Sequence, residues 1–243
     1  MSEPVSRLLG ELQPGGILVV GDHASNRVPE GIDLGVAQDV LQQHVAIDIG
    51  VAEVAERMVR PGIAAYLANV SRLVCDLNRD PDAAGLIPQT SDGLAIPGNM
   101  LTPGERSERI SAFFDPYHDG LAALLDAAPP ALIVSLHSFT PQLASEPEQQ
   151  RPWQAGVLYN TDERAARLAI PLLEAEGLTV GDQQPYSGKL LNATMNRHAE
   201  AHGRPYLSLE VRQDQIADEQ GQALWAERLA RLVTEVAIAL QST

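Results

Sequence analysis

The sequence contains one cysteine, Cys75, so no intramolecular disulfide can form and nothing calls for an oxidising compartment. Long apolar runs are missing too: no window approaches 18 uninterrupted apolar residues, and the opening MSEPVSRLLGELQPGG lacks a basic segment followed by an apolar stretch. Export and membrane insertion are disfavoured, and a cytoplasmic location is the expectation. Aromatic residues make up 4% of the chain, too few for a stacking platform for bases or sugars, so the core must be aliphatic. Positive charge is also scarce. With 17 Lys+Arg against 32 Asp+Glu, the formal charge of -15 repels phosphate backbones and anionic lipid heads, and neither nucleic acid nor membrane is expected as a partner. No Gly-x-Gly-x-x-Gly, Walker-type loop or Gly-x-Ser-x-Gly elbow occurs, which weakens dinucleotide, nucleotide and serine-hydrolase readings.

What is present is 243 residues, 44% of them hydrophobic, enough for one domain over 1–243 with a sizeable core. Short apolar runs at 17–20, 63–67, 73–77, 131–136, 156–159 and 206–209 read as buried strands of a largely parallel sheet. Helices are expected over 36–43, 50–59, 162–176, 191–202 and 220–240. Another should open at Thr102-Pro103-Gly104-Glu105, which offers an N-cap, a first-turn proline and a capping-box glutamate, and should run to about Ala127. The alternation predicts an α/β fold of three layers, α/β/α, around a mostly parallel sheet. Two stretches, 80–101 and 140–153, exceed ordinary connections and are candidates for loops that shape a site. Cys75 lies inside an apolar run and reads as a core thiol.

Ligands of parallel α/β sheets gather beyond the carboxyl ends of the strands. Three such ends carry polar residues: Asp22-His23 after the first run, His137-Ser138 after the fourth, and Glu210-Val-Arg212 after the last. Two imidazoles and a carboxylate make a three-ligand set for zinc, with a fourth position for water, and a further carboxylate can move its proton. Near Leu77, Asn78-Arg79 offers a planar fork for a substrate carboxylate, or an Arg–Asp pair that holds the loop. Tyr186 and Lys189, in Pro185-Tyr186-Ser187-Gly188-Lys189, are further candidates for substrate contact in what is also an ordinary turn. His198 and His202 stand four apart as a metal pair would, but Glu200 is misplaced for a zinc-protease motif and Gly203 reads as a helix terminator. A structural role is therefore favoured for both. A surface or core role is likewise favoured for His44 and His118.

Taken together, Gly21-Asp22-His23-Ala24-Ser25-Asn26-Arg27-Val28-Pro29, Ala46-Ile47-Asp48-Ile49-Gly50, Ser71-Arg72-Leu73-Val74-Cys75-Asp76-Leu77-Asn78-Arg79, Ser135-Leu136-His137-Ser138-Phe139-Thr140-Pro141 and Glu210-Val211-Arg212-Gln213-Asp214 resemble the N-formylglutamate amidohydrolases. The sequence is written with His-Ala-Ser-Asn rather than the His-Ser-Gly form of better-defined deformylases. That family in turn resembles the zinc carboxypeptidases and aspartoacylases, which implies a hydrolase-like α/β/α fold holding zinc or another divalent metal.

The resemblance implies His23 and His137 as ligands, with Asp48 as the third and Asp22 or Glu30 as alternatives. It implies Glu210 as the base that activates water, Asn78 and Arg79 as the carboxylate-binding pair, and Arg72 or Arg212 as the oxyanion stabiliser, the other clamping a carboxylate. Ser138 and Tyr186 complete the expected substrate contacts. The implied substrate is a small N-acyl amino acid, first N-formyl-L-glutamate, cleaved to formate and glutamate. The alternatives are other N-acyl amino acids or peptide-like amides, or a non-catalytic carboxylate-binding protein of the same fold.

Overall fold

The computed structural model describes residues 3–242. Nine strands are present among them: β1 (Ser6–Leu9), β2 (Ile17–Gly21), β3 (Ile63–Ala68), β4 (Thr90–Ser91), β5 (Leu94–Ala95), β6 (Leu132–Phe139), β7 (Ala155–Leu158), β8 (Val180–Asp182) and β9 (Tyr206–Arg212). The helices are α1 (Val51–Met58), α2 (Pro103–Arg109), α3 (Asp115–Ala127), α4 (Arg164–Ala175), α5 (Ala193–His198) and α6 (Glu219–Gln241). Seven strands form one sheet in the order β1-β3-β2-β6-β9-β7-β8, while β4 and β5 pair as a separate hairpin. The four central strands β3, β2, β6 and β9 are mutually parallel. β1 closes one edge antiparallel to β3; towards the other, β7 runs antiparallel to β9, and β8, parallel to β7, forms the edge.

The central strands read as near-continuous apolar runs because both sheet faces are covered. On one side Val19, Val134 and Leu209 pack against α1, α4 and α6, where Val54, Ala169, Trp225 and Val233 supply the apolar stripes. On the other, Leu18, Val20, Ile133 and Tyr206 meet Tyr117 and Leu121 of α3, Met195 of α5 and a buried stretch around Val74. The three-layer α/β/α fold with a mostly parallel sheet is therefore present. No helix among the described residues is long and apolar enough to cross a membrane.

Several local expectations hold. Thr102 Oγ1 accepts from Glu105 N while the Glu105 carboxylate accepts from Thr102 N, the reciprocal box that opens α2. The run to Ala127 is continuous but passes through a π-turn at Ile110–Phe114. The stretch 36–43 forms only a 3-10 turn, Gln38–Gln42. Residues 73–77 are not a strand. The run is fully buried, but its backbone is satisfied locally: Ser71 O accepts from Val74 N and Cys75 N, Ser71 Oγ from Leu73 N, and Leu86 O from Asp76 N. With those bonds made, burial needs no neighbouring strand. Cys75 lies wholly buried in that turn, and burial pushes its thiol up to about 12, too high for a nucleophile.

Candidate active site

Strand alternation brings the polar side chains to one face of the sheet. In β6, Leu132, Val134 and Leu136 enter the core on one side, so Ser135 and His137 face the other. β9 repeats the pattern, with Leu207, Leu209 and Val211 in the same core and Ser208 and Glu210 opposite. The parallel register sets His137 beside Glu210 and Ser135 beside Ser208. β2 stops at Gly21, and its extension carries His23 against this patch, its ring centroid 4.9 Å from that of His137.

A turn into α1 supplies the remaining group. Gly50 has φ 81°, and a Cβ there would stand 2.2 Å from Ile216 O, so only glycine fits. The turn is fixed by Asp48 N donating to His23 O at 3.0 Å, and it aims Asp48 between the two rings. Asp48 Oδ2 lies 2.8 Å from His137 Nδ1 and 3.3 Å from His23 Nδ1. Ligand atoms of all three residues, each buried, fall within 4.8 Å of one another. The far ring nitrogens are engaged as well. His23 Nε2 donates to Asp76 Oδ1 at 2.7 Å, and His137 Nε2 lies 3.1 Å from Ser135 Oγ and 3.5 Å from Asp22 Oδ2. A cation taken up by the two Nδ1 atoms would leave the ring proton on Nε2, facing Asp76 at His23 and Ser135 and Asp22 at His137. Two imidazole nitrogens, one carboxylate oxygen and oriented outer partners are the donor set of a divalent ion such as zinc, and the residues fit one.

Beside this triad Glu210 is buried, and its Oε2 has no hydrogen-bond partner among the described residues. Burial is the main cause that raises its carboxyl and Asp48 adds to it, while His137, Arg72 and His23 restrain the rise, leaving it at about 7. Asp48 is held below the ordinary carboxylate range: burial opposes ionisation, but both histidines and Arg72 outweigh it. His23, Asp48, His137 and Glu210 line one cavity of about 140 Å³ together with Arg72, Asp76, Asn78, Arg79 and Tyr186.

The sequence matches the family model of the N-formylglutamate amidohydrolases over residues 15–217. The chain belongs to that family. No protein of curated function matches the sequence. Among solved structures, a gene product of Agrobacterium tumefaciens is similar at 30% identity, with a TM-score of 0.91 over 98% of this chain and 97% of that one. The N-formylglutamate amidohydrolase of Ralstonia eutropha shares the fold at 21% identity and a TM-score of 0.79, over 99% of both chains.

In this amidohydrolase Arg72 lines the cavity but is bound on both sides. It donates to Asp48 Oδ1 at 3.1 Å and to Asp76 Oδ2 at 3.0 Å, which takes two of its five N–H donors. Arg79 is freer, one third of its side chain exposed and its Nε 3.5 Å from Asp76 Oδ2. Asn78 is steadied by Thr194 N, which donates to its Oδ1. Ser138 lines the cavity with its hydroxyl committed to Ile49 O. The Tyr186 hydroxyl accepts from Arg151 at 3.1 Å.

Arg212 does not line the cavity. It folds back onto Asp214 and the carbonyls of Arg151 and Pro152, because β9 continues past the cavity. Lys189 is exposed outside the lining. Of the alternative ligands, Asp22 stands behind His137 on the Nε2 side, where it accepts from the Tyr117 hydroxyl at 2.7 Å, and Glu30 is exposed on a separate groove.

Four contributors are additional to those expected: Asp76, which orients His23, and Ser135, Asn192 and Ser208 in the cavity wall. Period two alone points to both serines, two residues before His137 and Glu210. His44 also lines the cavity, bonded to Asp92. His198 and His202 do not converge: His198 is buried against His118, while His202 ends an exposed 3-10 turn before Gly203, which terminates it with φ 65°.

Proposed function

We propose that this cavity hydrolyses the amide of a small N-acyl amino acid, N-formyl-L-glutamate first, with zinc or another divalent ion held by His23, Asp48 and His137. The observation that carries the reading is the convergence of both Nδ1 atoms on Asp48 Oδ2 beside a buried, unpartnered Glu210 Oε2. A metal in that donor set supplies a Lewis acid that polarises the acyl carbonyl and acidifies water. Glu210, buried beside the triad with Oε2 unpartnered, takes the proton of the attacking water on Oε2 and returns it to the leaving nitrogen. Arg72 fixes Asp48 and, with its remaining donors, stabilises the oxyanion, a role commonly worth about 3 kcal/mol. Asn78 and Arg79 bind the substrate carboxylate, Arg79 through its planar fork, and Tyr186 donates its hydroxyl proton to the substrate. For N-formyl-L-glutamate the products are formate and glutamate.

The ligand assignment is tested by zinc content after dialysis. His23→Ala and His137→Ala each leave a two-ligand remnant and should emerge with little zinc while the wild type stays near one per chain. Full occupancy in both variants would sink the assignment.

A further inference from the structure

Residues 140–153 form a polar, charged segment without helix or strand, yet it follows a definite course. It leaves the sheet at Thr140, which lines the cavity. At Ala144 and Ser145 it meets Asp92, at the tip of the β4–β5 hairpin: Asp92 Oδ2 accepts from Ala144 N at 2.9 Å, and Oδ1 accepts from Ser145 N at 2.8 Å and Ser145 Oγ at 2.6 Å. The same Oδ2 lies 3.0 Å from Nε2 of His44, a residue of the cavity wall. The segment returns at Arg151, which donates to Thr140 O and to the hydroxyl of Tyr186, another wall residue.

Thr140 thus lines the cavity itself, and the other two fixed points, Asp92 and Arg151, each bond a residue of its wall, His44 and Tyr186. Among the described residues, Asp92 receives every hydrogen bond that residues 141–150 make outside the segment. The side chain that does this is 5% exposed, and bonds to a sheltered carboxylate are of the strong, charge-assisted kind. A polar segment has little apolar burial to hold it otherwise, so losing them releases it into conformational freedom.

We propose that Asp92 is a specificity-determining residue: by tying the 140–153 segment and His44 to the β4–β5 hairpin it fixes the rim of the cavity and excludes substrates with acyl groups much larger than formyl or acetyl. This rests on the amide-hydrolysis reading above. Asp92 touches neither the ligand triad nor Glu210, so releasing the rim leaves the reacting groups in place. The turnover number for a small substrate is kept, its KM rises, and bulky acyl groups gain entry.

The test is Asp92→Asn. Asparagine nearly matches the shape and tolerates the left-handed backbone at this position, φ 45°, but one of its two terminal atoms no longer accepts. Two readouts are taken on zinc-loaded protein: hydrogen exchange at the Ala144 and Ser145 amides, and both binding and kcat/KM for the N-formyl, N-acetyl and N-benzoyl forms of one amino acid. The variant should exchange at least about tenfold faster there and lose about tenfold of its formyl-over-benzoyl preference, with kcat for the formyl substrate retained. Ser145→Ala, which removes one donor and leaves Asp92 in place, should shift both readouts the same way by a smaller factor, and it stands in if Asp92→Asn does not fold. Unchanged exchange, or faster exchange with the wild-type acyl preference intact, overturns the size limit alone. If the wild type neither binds nor cleaves any member of the series, the functional reading falls and the size limit falls with it.

Discussion

His118 and His198 form a buried pair behind the loop that carries Asn78 and Arg79, and a single substitution there should flatten the acid limb of the stability curve. His118 Nε2 donates to Leu77 O at 3.0 Å, so its Nδ1 is the acceptor for His198 Nε2–H at 2.8 Å. His118, donating from one nitrogen and accepting at the other, is thereby neutral. Burial is the largest cause that lowers each from the ordinary 6.5; Arg197 adds to it at both and Asp22 opposes, leaving each at about 4. A depressed imidazole contributes stability that is whole above its unfolded value near 6.5 and is lost as pH falls towards 4, because the unfolded chain binds the proton first. In that window one extra proton in the unfolded state corresponds to a slope of about 1.4 kcal/mol per pH unit, or roughly 3 kcal/mol for each histidine over the whole descent.

His198→Gln keeps an N–H donor for His118 Nδ1 and removes one titrating ring. At pH 7 it should cost about 1 kcal/mol, from the stacked ring contact with His118. Between pH 6 and 4.5 its stability should fall less steeply than that of the wild type by about 1.1 kcal/mol per pH unit, since the unfolded ring binds most but not all of one extra proton there. Urea unfolding midpoints across that range, with chelator in both samples and the slope m checked for constancy, provide the measurement. Carboxylates common to both proteins cancel in the difference. Parallel curves for the two proteins would refute the reasoning, since they would mean that the pair does not stay neutral in the fold.

Two further outcomes follow from the cavity. Glu210→Gln should lower kcat by about a hundredfold to ten-thousandfold while zinc content and ligand binding persist; retention of turnover would remove Glu210 from proton transfer and favour another base. Arg79→Ala should raise KM by about tenfold or more with kcat little changed, and initial-rate kinetics showing the reverse split would move Arg79 from binding into the chemical step.

His23, His137 and Glu210 are legible in the sequence because each follows an apolar run, and parallel strands place their carboxyl ends together. Asp48 is not legible in that way. It lies 89 residues from His137 and is delivered by a turn whose glycine fits against Ile216 O, a contact without a local signature; only the family resemblance singles it out. The run around Cys75 shows the limit of reading burial as strand: apolar density gives the burial, while Ser71 and the Leu86 carbonyl settle the backbone as turns. Arg212 shows the limit of period two. Alternation places it with Glu210, but β9 outlasts the cavity and Asp214, two residues on, captures the guanidinium. The edge strands β1 and β8 are short and only partly buried, so their alternation is too weak to stand out.

The central claim, that a divalent ion held by His23, Asp48 and His137 serves amide hydrolysis, is met most directly by formate release from N-formyl-L-glutamate. Zinc-loaded protein should release formate and glutamate in equal amounts, a chelated sample should not, and zinc added back should restore the rate. Release that is indifferent to chelator at zero bound metal would contradict the metal's part in the account.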